Sequence, residues 1–171
     1  MNTKILVRTA ILLAVCVVFQ LLKGISVYIT GPVVNAVLII AALSCGWQSG
    51  LLIAVLTPLI AFLVGATPIL NAVPTMLPVI MAGNACITMS AWAFRRRLLW
   101  LGLLIGSGLK ALLLWLLVWF WVLPVFGTAL PPKMQTAARL AFSWTQLFTA
   151  LLGSLLAWVI WYRLKKSISN P

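Results

Sequence analysis

Lys110 lies in LLIGSGLKALLLWLLVWFW, residues 103–121, as the one charged residue of an otherwise apolar run. An ammonium taken into hydrocarbon is strongly disfavoured, and its usual remedy is a nearby carboxylate. The chain has no Asp and no Glu, so no side chain of its own can neutralise that charge. An inward-facing cation of this kind is suited to an anion supplied from outside the chain. Amides that can orient such a solute fall at comparable depths: Asn84 within MAGNA, Asn35 just after Gly31-Pro32, and Gln146, with Asn71 in a connecting segment. Arg139, Ser143 and Gln146 stand at offsets of four and seven, one helical face, continued by Ala150, Gly153 and Ala157. Trp144, Tyr28 and Phe142 can stack a ring, although interfacial anchoring explains Trp144 equally well. Gln20 reads as an interhelical hydrogen bond.

Much other chemistry is excluded by what is missing. Without His, Asp or Glu there is no general acid–base pair, no hydrolytic metal site and no proton relay. Ser107 and Lys110, three apart, are formally a Ser–Lys pair, but no oxyanion motif accompanies them. Cys16, Cys45 and Cys86 have no C-x-x-C spacing and read as small apolar fillers. No G-x-x-x-x-G-K-[ST] element is present, so the chain carries no P-loop of its own. We expect neither cofactor nor metal, and no enzymatic activity.

The elements that position these residues are membrane helices. The chain is 64% hydrophobic and 7% charged, outside the range of soluble domains. Successive apolar runs of roughly 18–25 residues each suffice to cross about 30 Å of hydrocarbon. The pattern predicts an all-α integral membrane protein, one domain over 1–171 with six spans near 5–22, 33–45, 47–66, 76–94, 98–123 and 134–162. KGISVYITGP is expected as a loop closed by Gly31-Pro32, and TPILNAVPT, with two prolines, as a loop rather than a span. Lys4 and Arg8 ahead of an apolar run resemble a signal peptide, but no A-x-A-like cleavage site follows, so this segment is expected to stay as the first helix.

The net charge of +12 does not point to nucleic acid, because the charges gather at span ends. Six spans put Lys4, Arg8, Arg95, Arg96, Arg97, Arg163, Lys165 and Lys166 on one side, against Lys23, Lys133 and Arg139 on the other. The positive-inside rule makes the crowded side, with both termini, cytoplasmic. Lys110, thirteen residues beyond Arg97, then lies about 20 Å along its helix, past the midplane towards the outside. Gly102 and Gly106 precede it on the same face, and small residues mark helix packing, so Lys110 is expected to point into the bundle rather than snorkel outwards.

The AILLA element of the first helix, TGPVVNAVLIIAA, VLTPLIAFLVG, LPVIMAGNA, LKALLLW around Lys110 and a final FSWTQLFTALLG follow in this order over almost the whole chain. This series resembles the substrate-binding S component of an energy-coupling factor (ECF) transporter, an ABC-type vitamin importer of the plasma membrane. The resemblance implies a six-helix protein that captures a vitamin near its outer surface and topples in the membrane to deliver it. Its partners would be a membrane coupling subunit, the T component, and two cytosolic ATPases. It also implies that the A-x-x-x-A element, Ala10 and Ala14, meets the coupling subunit.

The resemblance leaves the ligand open. Cations without a buried acid favour a carboxylate or phosphate, so among familiar ligands pantothenate, folate, biotin, nicotinate and lipoate remain, with pantothenate or folate preferred. A cationic ligand such as thiamine would find no acid. Two rival functions are a structural or assembly protein whose Lys110 pairs with a partner's acidic residue, and a small autonomous facilitator.

Overall fold

The computed structural model describes residues 2–22 and 26–169, without the side chains of residues 167–169. Among them the helices are α1 (Thr3–Leu21), α2 (Val27–Cys45), α3 (Trp47–Leu63), α4 (Pro68–Ala72), α5 (Met76–Ala93), α6 (Leu99–Leu117), α7 (Leu123–Phe126), α8 (Pro132–Ala141) and α9 (Trp144–Ser169). A π-helical turn, Val118–Val122, joins α6 to α7 in one continuous rod. Five apolar helical stretches are long enough to span a membrane: α1, α2, α5, Leu99–Phe126 and Pro132–Lys166. The 17-residue α3 is apolar but shorter. Lys23 and much of the segment following α1 lie outside the described residues.

Helix α2 sits at the centre, packed against α1, α3, α5 and α9. It is the most buried span, whereas α1 fully buries only Thr9, Cys16 and Gln20, packs Leu12, Leu13, Val15 and Phe19 half-buried on the core, and exposes its opposite face. The α5–α6 pair is brought close by glycine. A Cβ on Gly102 would lie 2.5 Å from the Phe94 Cβ, and one on Gly106 would lie 3.0 Å from the Ser90 Cβ. Ser90 Oγ, inside this contact, donates to the Gly102 carbonyl at 2.7 Å, so its hydroxyl is satisfied in an apolar setting.

Several expected boundaries are corrected. Helix α2 begins at Val27 and runs through Gly31-Pro32, which had been expected to end a loop. A helix over 33–45 would rise only about 20 Å and fall short of the hydrocarbon thickness. Buried in protein, Pro32 is tolerated because neighbouring helices can compensate its missing N–H. Helix α3 ends at Leu63 rather than near residue 66 because Gly65, at φ 68°, allows the Ala66 N–H to reach the Ala61 carbonyl at 2.9 Å. That pattern is a Schellman stop. The segment expected as a plain loop contains α4, started by Pro68 at its first turn.

The last expected span, 134–162, is two helices. Phe142 and Ser143 break it: Ser143 Oγ donates to the Leu140 carbonyl, and α9 starts afresh at Trp144. The two helices also differ in character, PKMQTAARLA being amphipathic and mixed and TQLFTALLGSLLAWVIW mostly apolar. Arg139, Ser143 and Gln146 therefore do not form one continuous helical stripe.

Candidate functional site

Helix α6 turns its small-residue face inwards, and Lys110 follows it, 4% exposed, between α2 and α5. Its Nζ donates to Asn35 Oδ1 at 2.6 Å and to Asn84 Oδ1 at 2.8 Å. Each amide is held from behind. Asn84 Nδ2 donates to the Ala54 carbonyl of α3 at 3.3 Å. Asn35 is pressed against Gly153 of α9, where an added Cβ would fall 2.5 Å from the Asn35 Cβ and 2.6 Å from the Pro32 oxygen. Only glycine leaves room for that approach. Four helices thus fix the ammonium through two amide dipoles, which solvate its charge without cancelling it.

The ammonium faces a cavity of about 70 Å³. Its polar lining includes Asn35, Asn84, Lys110 and Gln146, together with Gln20, Thr30, Thr67 and Thr149. Val34, Pro58, Ala61, Ile80, Leu114 and Phe142 supply apolar walls. Each spanning helix contributes the same end: the last turn of α1, the first turns of α2, α5 and α9, the last turns of α3, and the half of α6 distant from Arg95–Arg97. The cavity therefore lies at the end of the bundle away from the arginine cluster. Thr67, leading into α4, and Phe142, at the α8–α9 break, come from the connections at that end.

Of the sequence-predicted site residues, Lys110, Asn84, Asn35 and Gln146 are brought together here. Arg139, Trp144 and Asn71 are not. Arg139 is exposed on α8, its guanidinium carbon 5.1 Å above the Trp119 ring. Trp144 is 80% exposed, and Asn71 lies exposed on α4. Tyr28 is also turned outwards, edge-on to Phe148, whereas Phe142 does line the cavity. Gln20, expected to serve as an interhelical hydrogen bond, is a lining residue as well.

Thr30, Thr67 and Thr149 were missed by sequence reasoning. Thr30 fell in a segment read as loop. Thr149, three residues after Gln146 and four before Gly153, carried a periodicity signal that could have found it.

The family model described as "ECF transporter, substrate-specific component" matches residues 4–164. The chain is an ECF transporter S component. Neither the curated proteins nor the solved structures yield a match. S components are non-catalytic, substrate-binding membrane subunits, and the family implies association with a T component and ATPase subunits. The geometry of the Ser–Lys candidate agrees: Ser107 Oγ pairs with Ser154 Oγ at 2.9 Å, while Lys110 is engaged with the amides. In this S component Lys110 faces the bundle interior, so a partner's acidic residue at the lipid surface would not reach it. Ala10 and Ala14 are exposed on α1, among Leu6, Val7, Ile11 and Val18.

Proposed function

We propose that this S component captures a small anionic vitamin or precursor, pantothenate or folate among the candidates, and releases it inwards with the T component and two ATPases. Lys110 carries this reading: a buried cation borders a cavity in a chain with no acidic side chain. Asn35 and Asn84 hold the ammonium, and Gln146 reaches the solute. About 70 Å³ is well below the roughly 300–1,000 Å³ typical of sites for drug-sized ligands. Entry therefore requires Phe142 and the α4 segment to move outwards, and the smaller candidate, pantothenate, is favoured.

In this reading α3 completes six crossings, both termini are cytoplasmic, and the cavity opens to the outside. The charge distribution supports it, since Arg95–Arg97 and Arg163–Lys166 lie at the opposite end from the cavity. Ala10 and Ala14 form part of the docking face for the T component, a role supported by the outward, small-residue stripe of α1.

Mass spectrometry of small molecules released from denatured, freshly purified protein tests the reading. A bound carboxylate or phosphate is expected, and Lys110→Met should lower affinity for it by about ten- to hundredfold, one charge-assisted contact. Release of a cationic vitamin, or unchanged affinity in the Lys110→Met variant, would sink it.

A further inference from the structure

Gln20 and the unpartnered Thr67 hydroxyl can turn either way, but two other lining groups, Thr30 and Thr149, have a fixed hydrogen-bonding sense that specifies more of the ligand than its charge. At one pole stands Lys110, whose ammonium can only donate. The other pole is made by Thr30, Thr149 and Gln146. Thr30 Oγ1 donates its single proton to the Ser26 carbonyl at 2.9 Å. Thr149 Oγ1 shares its proton between the carbonyls of Thr145, at 2.9 Å, and Gln146, at 3.2 Å. Gln146 Nε2 donates one of its two protons to the Ala141 carbonyl at 3.0 Å, anchoring that amide with its Oε1 as a further acceptor beside the second N–H.

Both threonine protons are therefore committed to the backbone, and what Thr30 and Thr149 offer the cavity is lone pairs. Thr30 and Thr149 are 4% and 2% exposed, so bulk water cannot serve those lone pairs freely. The poles are also spaced by the helices. Thr149 packs on Gly31 just as Asn35 packs on Gly153, one turn further along both α2 and α9. Thr30 lies five residues from Asn35, and Thr149 four from Gly153 at the level of Asn35, an axial offset of about 6–8 Å at 1.5 Å per residue, with Gln146 about one turn further out.

We propose that the ligand is bifunctional: a carboxylate at the Lys110 pole, and a hydroxyl or N–H donor displaced about 6–8 Å along the bundle that meets Thr30 and Thr149, with Gln146 just beyond them. This deepens the anion-binding reading above and rests on it. It divides the candidate ligands by chemistry. Pantothenate, folate and biotin carry both an acid and hydroxyl or N–H donors. Nicotinate and lipoate carry an acid and no such donor.

The test is equilibrium dialysis of the purified full chain against an equimolar mixture of those five compounds, with the retained molecules quantified by mass spectrometry. Thr30→Val, Thr149→Val and Gln146→Leu are run beside Lys110→Met, and thermal unfolding identifies any variant that fails to fold. Retention is expected for a donor-bearing acid. At least one well-folded acceptor variant should weaken it about tenfold, the scale of one buried hydrogen bond, while Lys110→Met weakens it more. Preferential retention of nicotinate or lipoate, or retention unchanged in all three acceptor variants, would overturn the second pole and leave the anion site standing. Retention of none of the five, or equal retention by Lys110→Met, would overturn the anion site and the bifunctional ligand with it.

Discussion

Gly153→Ala offers a sharp test of how the cavity is held. The new methyl carbon would sit 2.5 Å from the Asn35 Cβ and 2.6 Å from the Pro32 oxygen. Carbon contacts are comfortable at about 3.5–4.0 Å, so α2 and α9 must part by about 1 Å there. Overpacking of this kind costs about 1–3 kcal/mol. A second consequence follows from Asn35. Its Oδ1 accepts from Lys110 Nζ at 2.6 Å, and a shift of that size carries the pair beyond the range of about 3.2 Å in which an N–H···O bond is strong. Losing one hydrogen bond to a charged group adds about 1.5–3 kcal/mol.

The two effects separate in a double-mutant cycle followed by thermal unfolding in detergent. In the parent, Gly153→Ala should destabilise by roughly 2.5–6 kcal/mol, the sum of the packing and hydrogen-bond losses. With Lys110→Met already present the second loss has gone, and only the packing cost of about 1–3 kcal/mol should remain. An equal penalty in both backgrounds would refute the claim that Gly153 serves the Asn35–Lys110 contact. No penalty in either would refute the close approach itself.

Other expectations are independent of that glycine. Asn35→Asp places a carboxylate against Lys110, so the variant should remain folded but lose at least about tenfold in affinity for the solute released from the parent; full affinity would show that the charge of Lys110 is not what the solute meets. Ala14→Trp should leave solute binding by the isolated chain intact while abolishing co-purification with the T component and uptake in cells. Intact uptake would falsify the docking role, and lost binding would mean that this face packs within the bundle. Arg139→Ala removes an exposed cation–π contact, so solute affinity should stay within about twofold and stability within about 1 kcal/mol; a tenfold affinity loss would bring Arg139 to the solute.

The all-α multi-span fold, the family and the burial of Lys110 were legible in the chain itself. Lys110 stands out because charge inside an apolar run needs a partner, and composition alone says that no acid is available. The inward direction of Lys110 was equally readable, because Gly102 and Gly106 can only mark the face where another helix comes close. Helix ends were legible where a local device dictates them, as Gly46 does between α2 and α3. They were misread where a tertiary environment overrides a local one. Gly31-Pro32 is a loop signal in water, yet it continues a helix when neighbours enclose it.

Which amides gather at the cavity beside Lys110 was decided only by the tertiary structure. Asn35, Asn84 and Gln146 lie on three different helices, and depth along a span cannot say how each helix is rotated about its axis. Asn71 and Arg139 fall at comparable depth but are turned elsewhere, Arg139 because the break at Phe142–Ser143 detaches α8 from α9. The acceptor pole was equally hidden. A threonine in sequence offers both a donor and an acceptor, and only the backbone bonds of Thr30 and Thr149 determine which of the two remains for the cavity.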